Sequence, residues 1–391
     1  MNEFCTDVGY VSLNKWGEQL CGDQVEMVEQ EDGSLVVVLA DGLGSGVKAS
    51  ILSTLTAKII CTMMANGLTL ADCVHTIAAT LPVCSVRKVA YSTFSILRVG
   101  QNNQAELIQY DNPHVILLRD GKHLDYPAAV EEIDGKRIYK STVDLHEDDT
   151  FVAISDGAIH AGVGMNLNFG WQREDIIRFL ETMYDPQNTA KTVSAMLTGE
   201  CGKLYGGHPG DDTTACTVRI RRRRPLSLMI GPPQNPEDLP GMMGDFFALP
   251  GKHIVCGGTT STLAAEYLGK PLEAGLPVYV DPAIPPTARI EGVDLVTEGV
   301  ITMGRVLEYA QDYLGDNSRY TDWRYKKDGA SLAARMLFEE ATDIRFFVGR
   351  ASNPAHQNPG LPISFNIKMH LVDELTRCLR EMGKRVEVRY F

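Results

Sequence analysis

"LVVVLADGLGSGVKAS", residues 35–50, is the stretch that decides the fold of the first half of the chain. Its opening apolar run predicts a strand buried on both faces, and the glycines after it predict a turn into a helix. This order is typical of phosphate-binding loops, yet Val47 stands where a dinucleotide-binding loop has its third glycine, and no Gly-Lys-Ser or Gly-Lys-Thr closes the turn. Asp41 instead ends the strand, where a carboxylate is costly unless a cation neutralises it. The stretch therefore predicts a site for a hard divalent cation, which prefers oxygen ligands.

Acidic residues occupy comparable positions in three further motifs. Asp23 lies in CGDQ, Asp156 in AISDGAIH, and Asp211 and Asp212 in GDDTTACTV, each at a predicted strand end or tight turn. One Asp-Gly pair on its own indicates only a turn. Because strand ends of one sheet lie close together, acids that are distant in sequence can line a single pocket, where their mutual repulsion requires cations.

Composition limits the class of protein. The chain has 391 residues, 44% hydrophobic and 22% charged, which are globular values, and its length predicts two domains. A net charge of −13 argues against a general nucleic-acid binder, because such a protein presents a broad basic surface. The one basic run, RIRRRRP at residues 219–225, is predicted to be a solvated strand end that leads into a linker.

Targeting signals and cysteine usage point to one compartment. No uninterrupted apolar stretch approaches the ~20 residues that cross a bilayer, and MNEFCTDVGY lacks the basic and apolar regions of a secretory leader. We therefore expect no membrane association and a cytoplasmic location. The nine cysteines include no Cys-x-x-Cys pair, which predicts buried, reduced thiols rather than disulfides or a zinc site.

The first part of the chain, residues 1–222, mixes strands and helices in blocks and predicts an α+β domain. A helix is predicted at residues 47–65, with a buried stripe of Leu52, Leu55, Ile59 and Met63 that is widened by Ile51, Ile60 and Met64. The runs YSTFSILRVG, AELIQYDN and HVILLRDG predict three consecutive strands of one antiparallel meander. Long helices beside hairpin-connected strands favour a sandwich.

The pattern changes at about residues 222–226. Beyond this point the strands HIVCGG, VDLVTEG, IRFFVG and VEVRYF alternate with helices at about 260–268, 300–314, 330–341 and 366–382. This alternation predicts a second α/β domain, residues 223–391, with a doubly wound, Rossmann-like parallel sheet.

The acidic motifs together resemble a known family. GD at 22–23, DGLGSG at 41–46, SDG at 155–157 and DDTT at 211–214, in this order and spacing, are similar to the metal-dependent Ser/Thr protein phosphatases of type 2C (the PPM superfamily), and specifically to their bacterial SpoIIE-like branch. The resemblance covers about residues 5–222 and includes the stretch from STFSILRV to LIQYDNPHVILLRDGK. It implies an α/β/β/α sandwich for this domain.

The resemblance also implies a catalytic site. Asp41 would bridge two Mn²⁺ or Mg²⁺ ions, and the carbonyl of Gly42 would complete one coordination sphere. Asp156 and Asp211 would hold the first ion, so that these two and Asp41 are the implied catalytic residues. Asp23, at the end of its strand, and Asp212 also belong to the implied metal-binding residues. Two such ions acidify a bridging water and neutralise the oxygens of a phosphoserine or phosphothreonine.

Two features of larger eukaryotic relatives are absent from this sequence. Leu43 stands where those relatives carry a histidine that protonates the leaving group, and the N-terminal arginine that grips phosphate has no obvious counterpart. The SpoIIE-like branch shares both absences. The general acid is therefore unassigned, because His160 and His208, although close to the motifs, are more typical of polar surface histidines.

The second domain has its own candidate site. CGGTTSTLAAEYLG at 256–269 places small and hydroxyl-bearing residues at a predicted helix start, namely Gly257, Gly258, Thr259, Thr260 and Ser261. Binding of a small anionic ligand there and ordinary helix capping are both open. Four residues beside other strand ends are candidates for the same crevice: Glu298, Arg350, Asn353 and His356. A ligand-sensing or regulatory role for this domain is a hypothesis that rests on position.

The first interpretation is a cytoplasmic signalling phosphatase whose substrate is a phosphorylated regulatory protein, by family analogy an anti-sigma-factor antagonist. One alternative is a catalytically silent phosphatase fold that acts as a scaffold, and another makes the C-terminal domain, binding a nucleotide or sugar phosphate, the main functional unit. Retention of all four acidic motifs favours the first. The sequence leaves the oligomeric state open, with a homodimer among the alternatives.

Overall fold

The structure is a computed structural model that describes residues 4–30, 33–80, 92–100, 102–133, 136–165, 167–275, 283–315, 317–351 and 363–391, except for the side chains of 78–80 and 363–366. The chain divides into two compact units, Met1–Arg222 and Arg223–Phe391. Each unit has its own sheets and its own apolar core.

The N-terminal unit contains both sheets of a sandwich. Its described strands are β1 (Phe4–Leu13), β2 (Asp23–Glu29), β3 (Leu35–Asp41), β4 (Thr93–Val99), β5 (Gln104–Tyr110), β6 (Ile116–Arg119), β7 (Lys122–His123), β8 (Ala129–Ile133), β9 (Lys136–Asp144), β10 (Thr150–Ile154) and β11 (Thr213–Arg222). Its described helices are α1 (Gly46–Ala65), α2 (Leu70–Thr80), α3 (Asp156–His160), α4 (Arg173–Thr182) and α5 (Ala190–Leu204).

Two antiparallel sheets stack face to face in this unit. The first has the strand order β2-β3-β4-β5-β9-β8, and the second has the order β1-β11-β10-β6-β7. Apolar side chains such as Leu39, Phe151 and Val218 pack between the sheets. Helices α1 and α2 cover the outer face of the first sheet, whereas α4 and α5 cover that of the second. The unit is the α/β/β/α sandwich that the family resemblance implies.

Strand β3 is buried on both faces, as its continuous apolar run predicts. Val36 and Val38 belong to the core under α1 and α2, whereas Val37 and Leu39 belong to the core between the sheets. An apolar residue is therefore needed at every position until the strand ends at Asp41.

The buried stripe predicted for α1 is confirmed in part: Ile60 and Met64 are buried and Leu52, Ile59 and Met63 pack against the core, but the prediction is wrong for Ile51 and Leu55. The buried residues of this helix are Gly46, Ala49, Ser53, Thr56, Ala57, Ile60, Cys61 and Met64. Ile51 is 56% exposed and Leu55 is 42% exposed. The helix is apolar over most of its circumference, so apolar spacing does not identify the buried face. Small side chains at Ala49, Ser53 and Ala57 suit the face that packs on β2 and β3.

The predicted three-stranded meander is also wrong in its third strand. β4 and β5 pair as expected, but β6 pairs with β10 in the second sheet, and β9 takes its place beside β5. Between β5 and β6 the chain turns at Asp111, which has a φ of 54°, and passes Pro113, which has no backbone N–H to donate. This connection carries the chain from one sheet to the other.

The basic run at 219–225 is not a solvated strand end at its first residues. β11 continues to Arg222, and Arg219 and Arg221 are only 1% and 3% exposed. Both lie on the face of β11 away from the space between the sheets, because they alternate with Val218 and Ile220, which pack there. Nη2 of Arg219 donates to Oδ1 of Asp148 (3.3 Å). The prediction of solvent exposure is therefore wrong for Arg219 and Arg221.

The C-terminal unit alternates strands and helices. Its described strands are β12 (Pro225–Ile230), β13 (Lys252–Cys256), β14 (Glu273–Ala274), β15 (Ala288–Arg289), β16 (Leu295–Thr297), β17 (Asp343–Val348) and β18 (Arg385–Tyr390). Its described helices are α6 (Leu239–Ala248), α7 (Gly258–Leu268), α8 (Val300–Leu314), α9 (Tyr320–Tyr325), α10 (Gly329–Arg335) and α11 (Ile363–Glu381), with a 3₁₀ turn at Pro236–Asp238 and a π-helical turn at Met336–Glu340.

The sheet of this unit is doubly wound, as predicted. Its order is β14-β15-β16-β13-β12-β17-β18, and the five strands from β16 to β18 are parallel. The strand order reverses between β12 and β17. Gly231 and Gly349 follow these two strands, and their backbones lie close together, because a Cβ on Gly349 would lie 2.3 Å from the carbonyl oxygen of Gly231.

By length and composition, helix α1 would suffice to cross a membrane, a property that core helices of globular proteins share. In the structure, 39% of its most apolar 18-residue window is buried.

The described cysteines are free thiols. Six of them are buried, while Cys5 and Cys21 are half-buried. Cys84 lies outside the described residues.

Candidate active site

Strand pairing brings Asp23 and Asp41 together. The antiparallel register of β2 and β3 places Asp23 opposite Asp41. The following turn is held at the same point, because the N–H of Gly42 donates to the carbonyl of Gly22 (3.1 Å). Asp41 is half-buried, whereas Asp23 is only 4% exposed. The first sheet thus contributes two adjacent carboxylates at one edge.

The second sheet contributes Asp156, Asp211 and Asp212. The end of β10 lies beside the start of β11, where the N–H of Ser155 donates to the carbonyl of Thr214 (3.0 Å) and the N–H of Thr214 donates to Oγ of Ser155 (2.8 Å). Asp156 opens α3 directly after this pair. Asp211 and Asp212 directly precede β11. Three carboxylates are therefore fixed beside one another by backbone pairing.

The two sets of acids meet around Asp41. Burial raises the pKa of Asp41 to about 9, and the charges of Asp23, Asp156 and Asp211 add to that rise. Burial also raises the pKa of Asp23 to about 7, with Asp212 contributing. The structure thus gathers all five predicted acidic residues, and their crowding makes the charged forms costly in the absence of a cation.

Several of these oxygens fit the requirements of a divalent cation. Among the described residues, neither carboxylate oxygen of Asp23 nor Oδ2 of Asp212 makes a hydrogen bond of normal geometry, although all three atoms are buried. The nearby hydroxyls of Ser155 and Thr214 limit the rise of the Asp23 pKa. Buried polar atoms are normally paired, and unpaired carboxylate oxygens are the ligands that hard cations prefer. In the described part of the chain no three acidic, histidine or cysteine side chains already stand in coordinating positions.

Glycines allow the acidic motifs to approach one another. A Cβ on Gly22 would lie 2.7 Å from Oδ2 of Asp212, and a Cβ on Gly42 would lie 2.3 Å from the carbonyl oxygen of Ala49. A Cβ on Gly157 would lie 2.1 Å from the carbonyl oxygen of Asp212. At Gly42 and Gly157 the obstructing atom belongs to the backbone, which real Cβ atoms do not approach so closely, so Asp41 and Asp156 each need a glycine after them. At Gly22 the obstructing atom belongs to the Asp212 side chain.

A comparison with models of protein families identifies the family of the domain that carries this site. The model of the Stage II sporulation protein E (SpoIIE) family matches residues 31–221, which include Asp41, Asp156, Asp211 and Asp212. Residues 31–221 form a SpoIIE domain. SpoIIE domains are Ser/Thr protein phosphatase domains, so the chain carries an enzyme of this class. The search of curated protein sequences found no match.

Solved structures similar to the chain include phosphatase domains of low sequence identity. The phosphatase domain of SpoIIE from Bacillus subtilis, in a crystal form without domain swapping, is 18% identical, with 57% of this chain and 95% of that chain covered and a TM-score of 0.44. The PP2C domain of the same protein with a fragment of its regulatory domain is 17% identical, with 57% and 64% covered and a TM-score of 0.48, so less than two thirds of that chain is matched. RsbX in complex with magnesium is 21% identical, with 56% and 97% covered and a TM-score of 0.39.

The N-terminal unit also places a lysine, Lys15, beside these acids. Nζ of Lys15 lies 3.9 Å from Oδ1 of Asp211, and the N–H of Lys15 donates to Oδ1 of Asp212 (3.0 Å). Lys15 belongs to the loop between β1 and β2, and no motif marks it. Its position depends on a contact across about two hundred residues of sequence, which spacing cannot reveal.

Neither candidate histidine of the SpoIIE domain has a described contact with the acids. His160 is exposed at the end of α3. Nδ1 of His208 lies 3.1 Å from the carbonyl oxygen of Gly206, and its ring packs edge-on against Trp16 with centroids 4.1 Å apart. Leu43, in the position of the histidine of larger relatives, is half-buried. The general acid stays unassigned.

The start of α7 in the C-terminal unit has no side-chain cap, so the prediction of ordinary capping by a hydroxyl residue is wrong. Gly257 is the N-cap residue, with a φ of 104° and no side-chain cap hydrogen bond. Oγ of Ser261 donates to the carbonyl of Gly257 (2.8 Å), and Oγ1 of Thr260 accepts from the N–H of Gly231 (3.1 Å). Gly258 and Thr259 also lie at this helix start, and both are exposed. Anion binding here stays a prediction.

The other candidates in that unit have separate contacts. Oε2 of Glu298 accepts from the N–H of Ile301 (3.0 Å) at the start of α8, and the guanidinium of Arg350 lies 4.7 Å from the ring centroid of Tyr390. Asn353 and His356 lie outside the described residues. The ligand-sensing role of the C-terminal unit stays a prediction.

The crowded acids predict how the stability of the metal-free protein depends on pH. The unfolded chain releases the Asp41 proton near pH 3.8, whereas the folded state retains it until about pH 9. The contribution of Asp41 to the free energy of unfolding is therefore largest at low pH and is lost as the pH rises between these values. We expect the melting temperature in a chelating buffer to fall from pH 5 to pH 8 more steeply in the wild type than in the Asp41→Asn variant. Equal slopes for the two proteins would contradict this expectation.

Proposed function

We propose that the N-terminal unit hydrolyses phosphoserine and phosphothreonine on a regulatory protein with the help of two Mn²⁺ or Mg²⁺ ions. The observation that supports this function is the convergence of Asp23 and Asp41 from one sheet with Asp156 and Asp211 from the other. A scaffold that only binds partners has no need to keep several unpaired, buried carboxylate oxygens, which cost stability.

The residues have distinct proposed roles. Asp41 would hold both ions and the carbonyl of Gly42 would contribute to one of them. Asp156 and Asp211 would hold the first ion, and Asp23 and Asp212 would complete the acidic surroundings. When bound, the two ions would supply an activated bridging water and neutralise phosphoryl oxygens. Because the pKa values of Asp41 and Asp23 are raised, both carboxyls must release their protons when an ion binds, so ion affinity should increase with pH.

The openness of the site supports a protein substrate. Asp156 is exposed, Asp211 is half-buried, and Trp16 on the adjoining loop is 66% exposed. In the described part of the chain, Asp156 and Asp211 are therefore accessible to a phosphorylated side chain on a protein surface. By family analogy the substrate is a phosphorylated anti-sigma-factor antagonist in the cytoplasm.

Phosphate release by the full chain tests this function. We expect Mn²⁺-dependent release of phosphate from a phosphoserine or phosphothreonine peptide and from an aryl phosphate, loss of that release in a chelating buffer, and recovery with excess Mn²⁺. Calorimetric Mn²⁺ binding measured on the same protein separates the alternatives. Binding of Mn²⁺ without release of phosphate from any of the three substrates would instead favour the silent scaffold.

A further inference from the structure

The loop between β1 and β2, residues 14–22, places a cation beside the acidic site. Nζ of Lys15 lies 3.9 Å from Oδ1 of Asp211, and the two side chains are 39% and 40% exposed. At this distance the ion pair is loose, because a direct hydrogen bond between an ammonium and a carboxylate is about 2.7–2.9 Å long. Among the described hydrogen bonds and ion pairs of Asp23, Asp41, Asp211 and Asp212, Lys15 supplies the one side-chain cation.

The backbone of this loop is fixed, so the position of Lys15 is not that of a mobile surface lysine. Oδ1 of Asp212, which is only 4% exposed, accepts from the N–H of Lys15 (3.0 Å). The N–H of Trp16 donates to the carbonyl of Pro209 (2.8 Å), and the Trp16 ring packs against His208. A buried carboxylate and the segment that carries Asp211 thus hold the root of the Lys15 side chain.

We propose that the ammonium of Lys15 binds the phosphoryl group of the substrate. This inference rests on the proposed function of the same site. Engagement of Asp211 by a metal ion would take away the loose partner of Lys15 and leave a half-exposed ammonium at the rim where the phosphoryl oxygens must enter. An ammonium has three donors on a flexible stem and binds phosphate as a compact charge.

A purely electrostatic role makes the opposite prediction. If Lys15 only neutralises the acids, its removal should tighten Mn²⁺ binding, because a positive charge near the ions is lost, and should weaken phosphate binding only slightly, because exposed charges that do not touch are screened by salt. If Lys15 binds the phosphoryl group, its removal should weaken phosphate affinity whatever happens to Mn²⁺. The two roles therefore differ in a binding measurement that needs no turnover.

The test compares Lys15→Met and Lys15→Arg in the full, Mn²⁺-saturated chain. We expect Lys15→Met to weaken binding of inorganic phosphate and to raise KM for a phosphoserine peptide, each by about tenfold or more, with a smaller change in kcat. Lys15→Arg should restore both to within about threefold. Lys122→Met is the matched control, because Lys122 is 76% exposed and pairs with Glu181 on the surface.

Phosphate binding can be followed by calorimetry and by the fluorescence of Trp16, since the other two tryptophans, Trp171 and Trp323, are buried. Wild-type phosphate affinity in Lys15→Met, or no phosphate binding to the wild type, would overturn the inference. If the wild type releases no phosphate from any substrate but Lys15→Met still weakens Mn²⁺-dependent phosphate binding, the inference stands and the proposed catalytic function fails. If the wild type is active and Lys15→Met is unchanged, the function stands and the inference fails.

Discussion

Replacement of Asp41 by Asn is expected to reduce Mn²⁺-dependent kcat/KM by about 10³-fold or more, because the carboxylate proposed to hold both ions is lost. The same substitution should stabilise the metal-free protein at neutral pH, since burial and three neighbouring acids disfavour the charge that Asn lacks. Activity and stability are therefore expected to change in opposite directions. Steady-state phosphate release and thermal unfolding in a chelating buffer measure the two effects.

Asp144→Asn is the matched control for this prediction. Asp144 also ends a strand of the first sheet, β9, but it lies on the surface, where Oδ1 accepts from Nε2 of Gln104 (2.9 Å). The control should keep its kcat/KM within about twofold, as expected for a surface substitution away from the site. Retained activity in Asp41→Asn would refute the proposed role of Asp41, whereas loss of activity together with lower metal-free stability would point to misfolding instead.

The sequence predicts the acidic motifs of the site because each is a local signal. Asp41 and Asp156 follow apolar runs long enough to be strands, and the adjacent Gly42 and Gly157 mark close backbone approach. That the acids face one another depends on strand pairing between distant segments, which spacing alone does not give. The family resemblance supplies the arrangement that local reasoning leaves open.

The errors have a common physical origin in packing between elements. The exposure of Ile51 and Leu55 on α1 cannot be read from apolar spacing, because this helix is apolar on both faces. The burial of Arg219 depends on contacts with Asp148 and with a backbone carbonyl, which lie far away in sequence and which no motif identifies. The position of Lys15 beside the acids cannot be predicted from the sequence for the same reason, since its backbone N–H is bound by Asp212, about two hundred residues later in the chain.

Replacement of Gly157 by Ala is expected to damage both stability and catalysis. The added Cβ would lie 2.1 Å from the carbonyl oxygen of Asp212 and 2.6 Å from Oγ1 of Thr213. The carbonyl belongs to the backbone beside β11, so α3 and the segment with Asp212 must move apart. Overpacking of this kind costs about 2–3 kcal/mol of unfolding free energy, and misplacement of Asp156 by about 1 Å should reduce kcat/KM about 10²-fold. Chemical denaturation and phosphate release measure these effects.

Gly199→Ala separates steric conflict from the general effect of replacing a helical glycine. Gly199 lies within α5, and a Cβ there would meet no described heavy atom within 4 Å. Alanine is favoured over glycine in a helix interior, so this control should raise the free energy of unfolding by about 0.5–1 kcal/mol and leave kcat/KM unchanged. The same helix preference acts at Gly157 but is outweighed by contact with a backbone atom that has no side-chain freedom to yield. If Gly157→Ala matched Gly199→Ala in both measurements, the SDG motif would not need its glycine for close approach to Asp212, and the steric basis proposed for the site would be refuted.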